Sequence, residues 1–254
     1  MPSPRRCAAA LSLLLALAPP ALAESAFALD PPDHFGTLAA GTFDDAGLRL
    51  GPAELEILRL DEGRVRLRTS TSLETGGQMQ ALAEFAPIGT SGKLRVVQQQ
   101  MQSLDESGRS LGVLSLDHVA GKARCAASSG VTSELDLAPQ DRVVNVPMGL
   151  LFQPLARGER ERLQFQILLC RPEARIIDFE AWVESRPAGR AIEVRYAPDL
   201  GFASFIARTM IPRLAFWYDP AAPHHWMAHR VPLYSGGPEV TIVRDGVPSV
   251  SLGP

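Results

Sequence analysis

The sequence predicts a mainly β protein: a strongly curved antiparallel sheet or open half-barrel, with one or two short helices packed on it. Three observations support this. Apolar and polar residues alternate with period two through much of the chain, the pattern of strands with one buried face. The 21 Gly and 21 Pro among 254 residues are roughly a sixth of the chain, against about 12% in average usage, which suits many short strands joined by turns. Strands and helices show no regular β-α-β alternation, which excludes Rossmann-type and TIM-type domains.

The first residues read as an address. Arg5 and Arg6 precede an apolar run from Cys7 through Leu17, then Pro19-Pro20 and Ala21-Leu22-Ala23. A cationic start, a short apolar core and a small-x-small site describe a secretory signal peptide. Cleavage is expected after Ala23, with Ala26-Phe27-Ala28 as a second site. The apolar run is shorter than the about 20 residues that a membrane span needs, so no transmembrane segment is expected. Cys7 lies before the apolar core, badly placed for lipidation, and the pattern around Arg5-Arg6 is a poor twin-arginine signal. The expectation is a soluble exported chain, suited to a bacterial periplasm. Residues 1–23 would form the signal peptide and 24–254 a single β-rich domain. Losing two arginines takes the formal charge from −3 to −5.

After the Pro-rich lead Asp30–Asp33, Ala53–Ile57 alternates and Asp61-Glu62-Gly63 reads as a hairpin turn. Arg64–Arg68 follows, with Val65 and Leu67 on one side and three arginines on the other. Met79–Phe85, Leu94–Met101, Leu111–Asp117 and Arg142–Val146 are the next expected strands. Pro147–Leu155 is apolar without alternation; Pro147 is placed to open a short helix that Pro154 disturbs. Strands are then expected over Leu163–Arg171, Ile176–Val183, Ile192–Tyr196, Leu214–Tyr218 and Val240–Arg244. Between them, Phe202, Phe205, Ile206, Thr209 and Met210 fall at helical spacing and Pro212 ends the run, one amphipathic helix. The expected architecture resembles that of exported half-barrels such as the outer-membrane lipoprotein carriers, which hold acyl chains. The resemblance is one of architecture alone.

With the signal peptide removed, Cys125 and Cys170 remain, an even pair in an exported chain, which predicts one disulfide. Closing a loop of about 45 residues stabilises by on the order of 4 kcal/mol in the chain-entropy model. There is no C-x-x-C pair for redox chemistry or a Cys-rich zinc site.

Composition and motifs remove several functions. A net charge of −3 and 6% aromatic residues offer neither the field nor the stacking surfaces that nucleic acid needs. No G-x-S-x-G, Walker or G-x-G-x-x-G pattern occurs, so no cofactor is expected. The candidate metal ligands are His224, His225 and His229, where His225 and His229 share a face on a helix or a strand. Asp219, or Asp117 with His118, would have to complete the site. No glutamate sits between the histidines as H-E-x-x-H hydrolysis requires. Asp178 and Glu180 share a strand face with Trp182 and Glu184, a pattern that either a glycosidase cleft or a plain solvated face produces.

The candidate ligand-binding residues are Phe202, Phe205, Trp217 and Trp226: the apolar helix, and the aromatic-rich end of the chain. Together these features favour an exported, non-catalytic envelope protein that takes a lipid or other apolar small molecule into a concave sheet. The alternatives are a metal- or carboxylate-dependent hydrolase and an assembly protein that uses exposed strand edges.

Overall fold

The structure, a computed structural model, describes residues 28–138, 141–170, 173–186, 188–201, 213–233 and 237–248. The signal segment 1–23 and the helix expected over 202–210, with Phe202 and Phe205, lie outside the described residues.

Two meanders make up the chain. The first runs β1 (Gly36–Phe43), β2 (Arg49–Arg59), β3 (Val65–Ser72), β4 (Gln78–Pro87), β5 (Leu94–Leu104), β6 (Ser110–Asp117), β7 (Lys122–Ala127) and β8 (Thr132–Asp136). Two single-turn helices follow, α1 (Met148–Leu151) and α2 (Gln153–Ala156). The second meander is β9 (Arg162–Cys170), β10 (Ala174–Ser185), β11 (Ile192–Pro198), β12 (Ala215–Tyr218), β13 (Trp226–Pro232) and β14 (Glu239–Arg244). β14 pairs antiparallel with β1, which joins the two meanders into one 14-stranded sheet ordered β8-β7-β6-β5-β4-β3-β2-β1-β14-β13-β12-β11-β10-β9. Among the described residues no helix is long and apolar enough to cross a membrane.

Alternation places the strands as expected. In β3, Val65 and Leu67 are buried, while Arg66 turns outward to pair with Glu84 of β4 at 2.7 Å. Asp61-Glu62-Gly63 forms the β2–β3 turn, with Glu62 and Gly63 both left-handed (φ 59° and 72°). Gly51 is a forced choice: a Cβ there would stand 2.0 Å from the Ser72 carbonyl oxygen, where β2 and the end of β3 nearly touch.

Among the described residues four strands lie outside the expected set: β1 (GTLAAGTF), β7 (KARCAA) and β8 (TSELD), which are short or built of small residues, and β13 (WMAHRVP), where a bulge interrupts the alternation. The strand expected over Arg142–Val146 is corrected. It makes a single parallel bridge, Val143 to Gln166, because side chains take the place of a ladder partner there.

The sheet does not close through backbone hydrogen bonds; it rolls until its two ends overlap. Inward residues of β9 and β10, such as Phe165 and Phe179, join the main core. Leu168, Cys170, Ala174 and Ile176, on the opposite face of the same hairpin, pack against Leu116, Ala123 and Cys125 of β6 and β7. Cys125 and Cys170 form a disulfide across this overlap, with Cα atoms 5.5 Å apart. Ser133 of β8 accepts the Ala174 amide at 2.8 Å.

Residues 142–146 run along the free edge of β9. The Val144 amide donates to the Gln166 carbonyl and the Gln166 amide to the Arg142 carbonyl, both at 2.8 Å. The Asn145 side chain then pairs with the Leu168 backbone in both directions, at 2.9 and 3.0 Å, as a strand residue would. Gln99 of β5, fully buried, holds the other side of this strap. Its Oε1 accepts from the Asn145 and Val146 amides (2.7 and 2.8 Å), and its Nε2 donates to the Val143 carbonyl and to His118 Nε2 (3.2 and 2.9 Å). All four hydrogen-bonding positions of the amide are used. Accepting from Gln99 requires His118 to be neutral, and burial lowers its pKa in that direction.

One end of the roll is filled. Leu151, Phe152, Leu155 and Ala156 of the helical pair are buried in the main core with Ile57, Leu67 and Ala83, which face one another across successive strands. Phe152 lies 5.3–5.4 Å from the rings of Phe165, Tyr196 and Phe216, within the range where aromatic pairs attract. The chain entering β1 ties this plug down. Asp30 pairs with Lys93 and Arg157, and Asp33 accepts from Gln153 of α2 at 2.8 Å. Arg186 of the β10–β11 turn donates to the Leu155 and Ala156 carbonyls that end α2.

Replacing Gln99 by Leu strands the Val143 carbonyl and the Asn145 and Val146 amides. At about 1–3 kcal/mol for each buried unsatisfied group, the variant is expected to lose about 3 kcal/mol or more of unfolding free energy in urea titration. A loss below about 1 kcal/mol would show that the strap does not depend on this amide.

Candidate functional site

Beyond the helical plug the roll encloses a cavity of about 820 Å³, within the range of about 300–1,000 Å³ typical of small-molecule sites. Its existence follows from side-chain size. The inward row Ala40–Ala53–Thr71–Met79–Ser103–Gly112 crosses six strands in register and all of it lines the cavity. Five of the six side chains are small, so curvature that the plug fills at one end leaves open volume here. α1 contributes Met148 and Leu150 to the wall, and Tyr196, Phe216 and Trp226 contribute from the second meander.

The wall also carries polar groups. A bulge between β12 and β13 at Trp217/Tyr218 resets the alternation, so that Trp226 and His229 both face inward. His229 stacks on Phe216 (ring centroids 4.9 Å, 10° between planes) and lies 5.4 Å from Trp226. It is partly buried and lines the cavity, and desolvation pushes its pKa down to about 4. Among the described residues neither His229 Nδ1 nor Trp226 Nε1 has a hydrogen-bond partner. The Tyr218 hydroxyl donates to the Gly149 carbonyl at 2.8 Å, tying β12 to α1, and burial raises its pKa. At the end of β14, Arg244 faces Ala40 across the ladder and so takes the inward side.

The sequence-derived candidates scatter. Trp226 lines the cavity, whereas Trp217 lies on the opposite face of β12, in a separate cluster with Ala215, Met227 and Ala228. His225 and His229 border the cavity; His224, at a left-handed backbone position (φ 63°), turns its Nδ1 to the Asp219 carbonyl at 2.9 Å. Asp117 caps the β6–β7 turn through the Val119 and Ala120 amides, and His118 is held by Gln99. Among the described residues no three His, Cys, Asp or Glu side chains gather as a metal site would require. Asp178, Glu180 and Glu184 each have a partner, Gln166, Arg162 and Arg195 respectively.

Phe216, from the aromatic-rich end of the chain, lines the cavity, and so do Tyr196, Met148 and Arg244, which the sequence did not single out. For Arg244 a signal exists, since Val240 and Ile242 set the inward face of β14 and Arg244 falls two residues further on.

Fold and cavity together define a rolled antiparallel sheet protein with an internal apolar chamber. No protein-family model matches the chain, and no curated protein matches it in sequence. Among solved structures it is similar to a beta-barrel-like protein of a domain of unknown function, DUF1849, from Brucella abortus. The identity is 11%, with 82% of this chain and 94% of that chain covered, at a TM-score of 0.48.

The desolvated imidazole of His229 has a consequence for stability. An unfolded histidine titrates near 6.5, so between about 6.5 and 4 the unfolded chain binds the proton that folded His229 refuses. Its effect is absent above pH 6.5, and stability falls as pH drops toward 4, by at most about 1.4 kcal/mol per pH unit from this group. The His229→Phe variant, which keeps a ring on Phe216, is expected to show a shallower loss between pH 6.5 and 4.5 in denaturant titrations. An identical slope would mean that His229 does not carry the effect.

Proposed function

We propose that this chain is an exported, non-catalytic protein of the cell envelope that takes an apolar or amphiphilic molecule into the chamber of its rolled sheet. The observation that carries this reading is the cavity of about 820 Å³, walled by Met, Leu, Phe and Trp side chains on a scaffold that a disulfide and two amide side chains hold at fixed girth. Apolar walls with a few polar groups are what orients a small ligand in a binding site. Export rests on the cationic start, the apolar run Cys7–Leu17 and the small residues around Ala23. A disulfide fits that compartment.

Native mass spectrometry of the protein, purified gently from an exporting host, tests the reading. The expected result is a chain beginning at Glu24 that carries a lipid-sized adduct. Ser103→Phe, which projects a ring into the chamber from a partly exposed wall position, is expected to weaken retention of the adduct while its melting temperature stays within a few degrees. A bare mass that persists after incubation with envelope lipid extract would sink the binding reading. A metal adduct lost with His225→Ala would favour the hydrolase instead.

A further inference from the structure

We propose that the chamber is a site for a long-chain carboxylate, its acyl chain in the apolar lumen and its carboxylate on Arg244. This rests on the binding reading above and adds the chemistry of the ligand's polar end.

Arg244 occupies an unusual position. It continues the inward face set by Val240 and Ile242, stands opposite the buried Ala40, and lines the cavity. Among the described residues no other Lys or Arg does so. Its guanidinium makes no hydrogen bond or ion pair among the described residues, whereas Arg230 on the same sheet, pointing outward, pairs with both Asp45 and Glu239. A cation against an apolar wall calls for an anion, because low dielectric strengthens the pair and leaves a lone charge costly. The nearby carboxylates do not supply it. Asp33 is already held by Gln153 and Arg157, and Glu54, which also borders the cavity, is exposed to solvent and forms no ion pair with Arg244 among the described residues.

The neighbouring wall adds unpaired polar atoms. Trp226 packs into the cluster around Ala40, the residue that Arg244 faces, and its Nε1 donor has no partner among the described residues. Buried polar atoms without partners mark places where a missing partner belongs. A guanidinium fork matches the two oxygens of a carboxylate, charge for charge. A phosphate monoester carries about −1.5 to −2 at neutral pH, more than one cation balances. Those oxygens would sit at the Arg244 end of the chamber, and the chain would run along the small-residue row from Ala40 toward Gly112.

The test compares palmitic acid, methyl palmitate and hexadecyl phosphate on the wild type, Arg244→Gln and Arg244→Lys, by competition in native mass spectrometry at pH 8. The wild type is expected to prefer palmitate over its methyl ester by at least tenfold. Arg244→Gln should bring that ratio close to one and leave the ester's affinity unchanged, so the ester reports that the variant is folded. Arg244→Lys should keep part of the preference, since it retains the charge and loses the fork. Equal binding of acid and ester by the wild type, or an undiminished preference in Arg244→Gln, overturns the proposal. Hexadecyl phosphate bound ahead of palmitate overturns the carboxylate assignment. If the wild type takes up neither acid nor ester, it is the binding reading itself that fails.

Discussion

The structure depends on what happens at a sheet edge. A 14-stranded sheet that does not close leaves two rows of backbone amides and carbonyls to be satisfied. On the β9 side two carboxamides do this work. Asn145 pairs with the Leu168 backbone as a strand would, and Gln99 holds three backbone groups of the same strap from the opposite wall. Because these bonds run between β5 and β9, they also set how far the sheet can roll. The disulfide fixes the same overlap one layer out. Girth, and with it the chamber, follows from a few directional bonds laid over the non-directional packing of the core.

Given that girth, side-chain volume decides what is solid and what is hollow. The row through Ile57, Leu67 and Ala83 meets Leu151, Phe152 and Leu155 in the main core. Parallel to it, the row through Ala40, Ala53, Thr71, Ser103 and Gly112 lines the cavity. The polar atoms of Trp226, His229 and Arg244 collect on β13 and β14, beside the hollow row. The chamber therefore has a chemically distinct side as well as an apolar lining.

Much of this architecture can be read from the sequence. Arg64–Arg68, Leu163–Ile167 and Ile176–Val183 alternate cleanly because one face is buried and the other solvated, and Asp61-Glu62-Gly63 declares its turn. Pro147 and Pro154 mark the helical pair, and the two cysteines of the β-rich part are bonded. What escapes is what depends on partners far along the chain. β1 and β7 are too rich in Ala and Gly to alternate visibly, since their residues are small to suit a neighbour. Arg142–Val146 has strand-like composition, yet side chains rather than a strand receive most of its backbone bonds. At the site, the bulge near Met227 moves Trp226 and His229 onto the face of Phe216, which period-two counting from Trp217 does not foresee.

The pairing of β1 with β14 bears on how the chain reaches this state. Each meander is built from neighbouring hairpins, contacts that form early because little chain must be looped. The ladder between them joins Gly41 to Val243, roughly 200 residues apart. Closing a loop of that length costs only about 2.6 kcal/mol more than closing a ten-residue hairpin, since the entropy grows with the logarithm of length. The penalty therefore falls on speed rather than on final stability. Until that ladder zips, β1 and β14 are both open edges in the middle of the future sheet. The molecule is at its most adhesive just before it becomes whole.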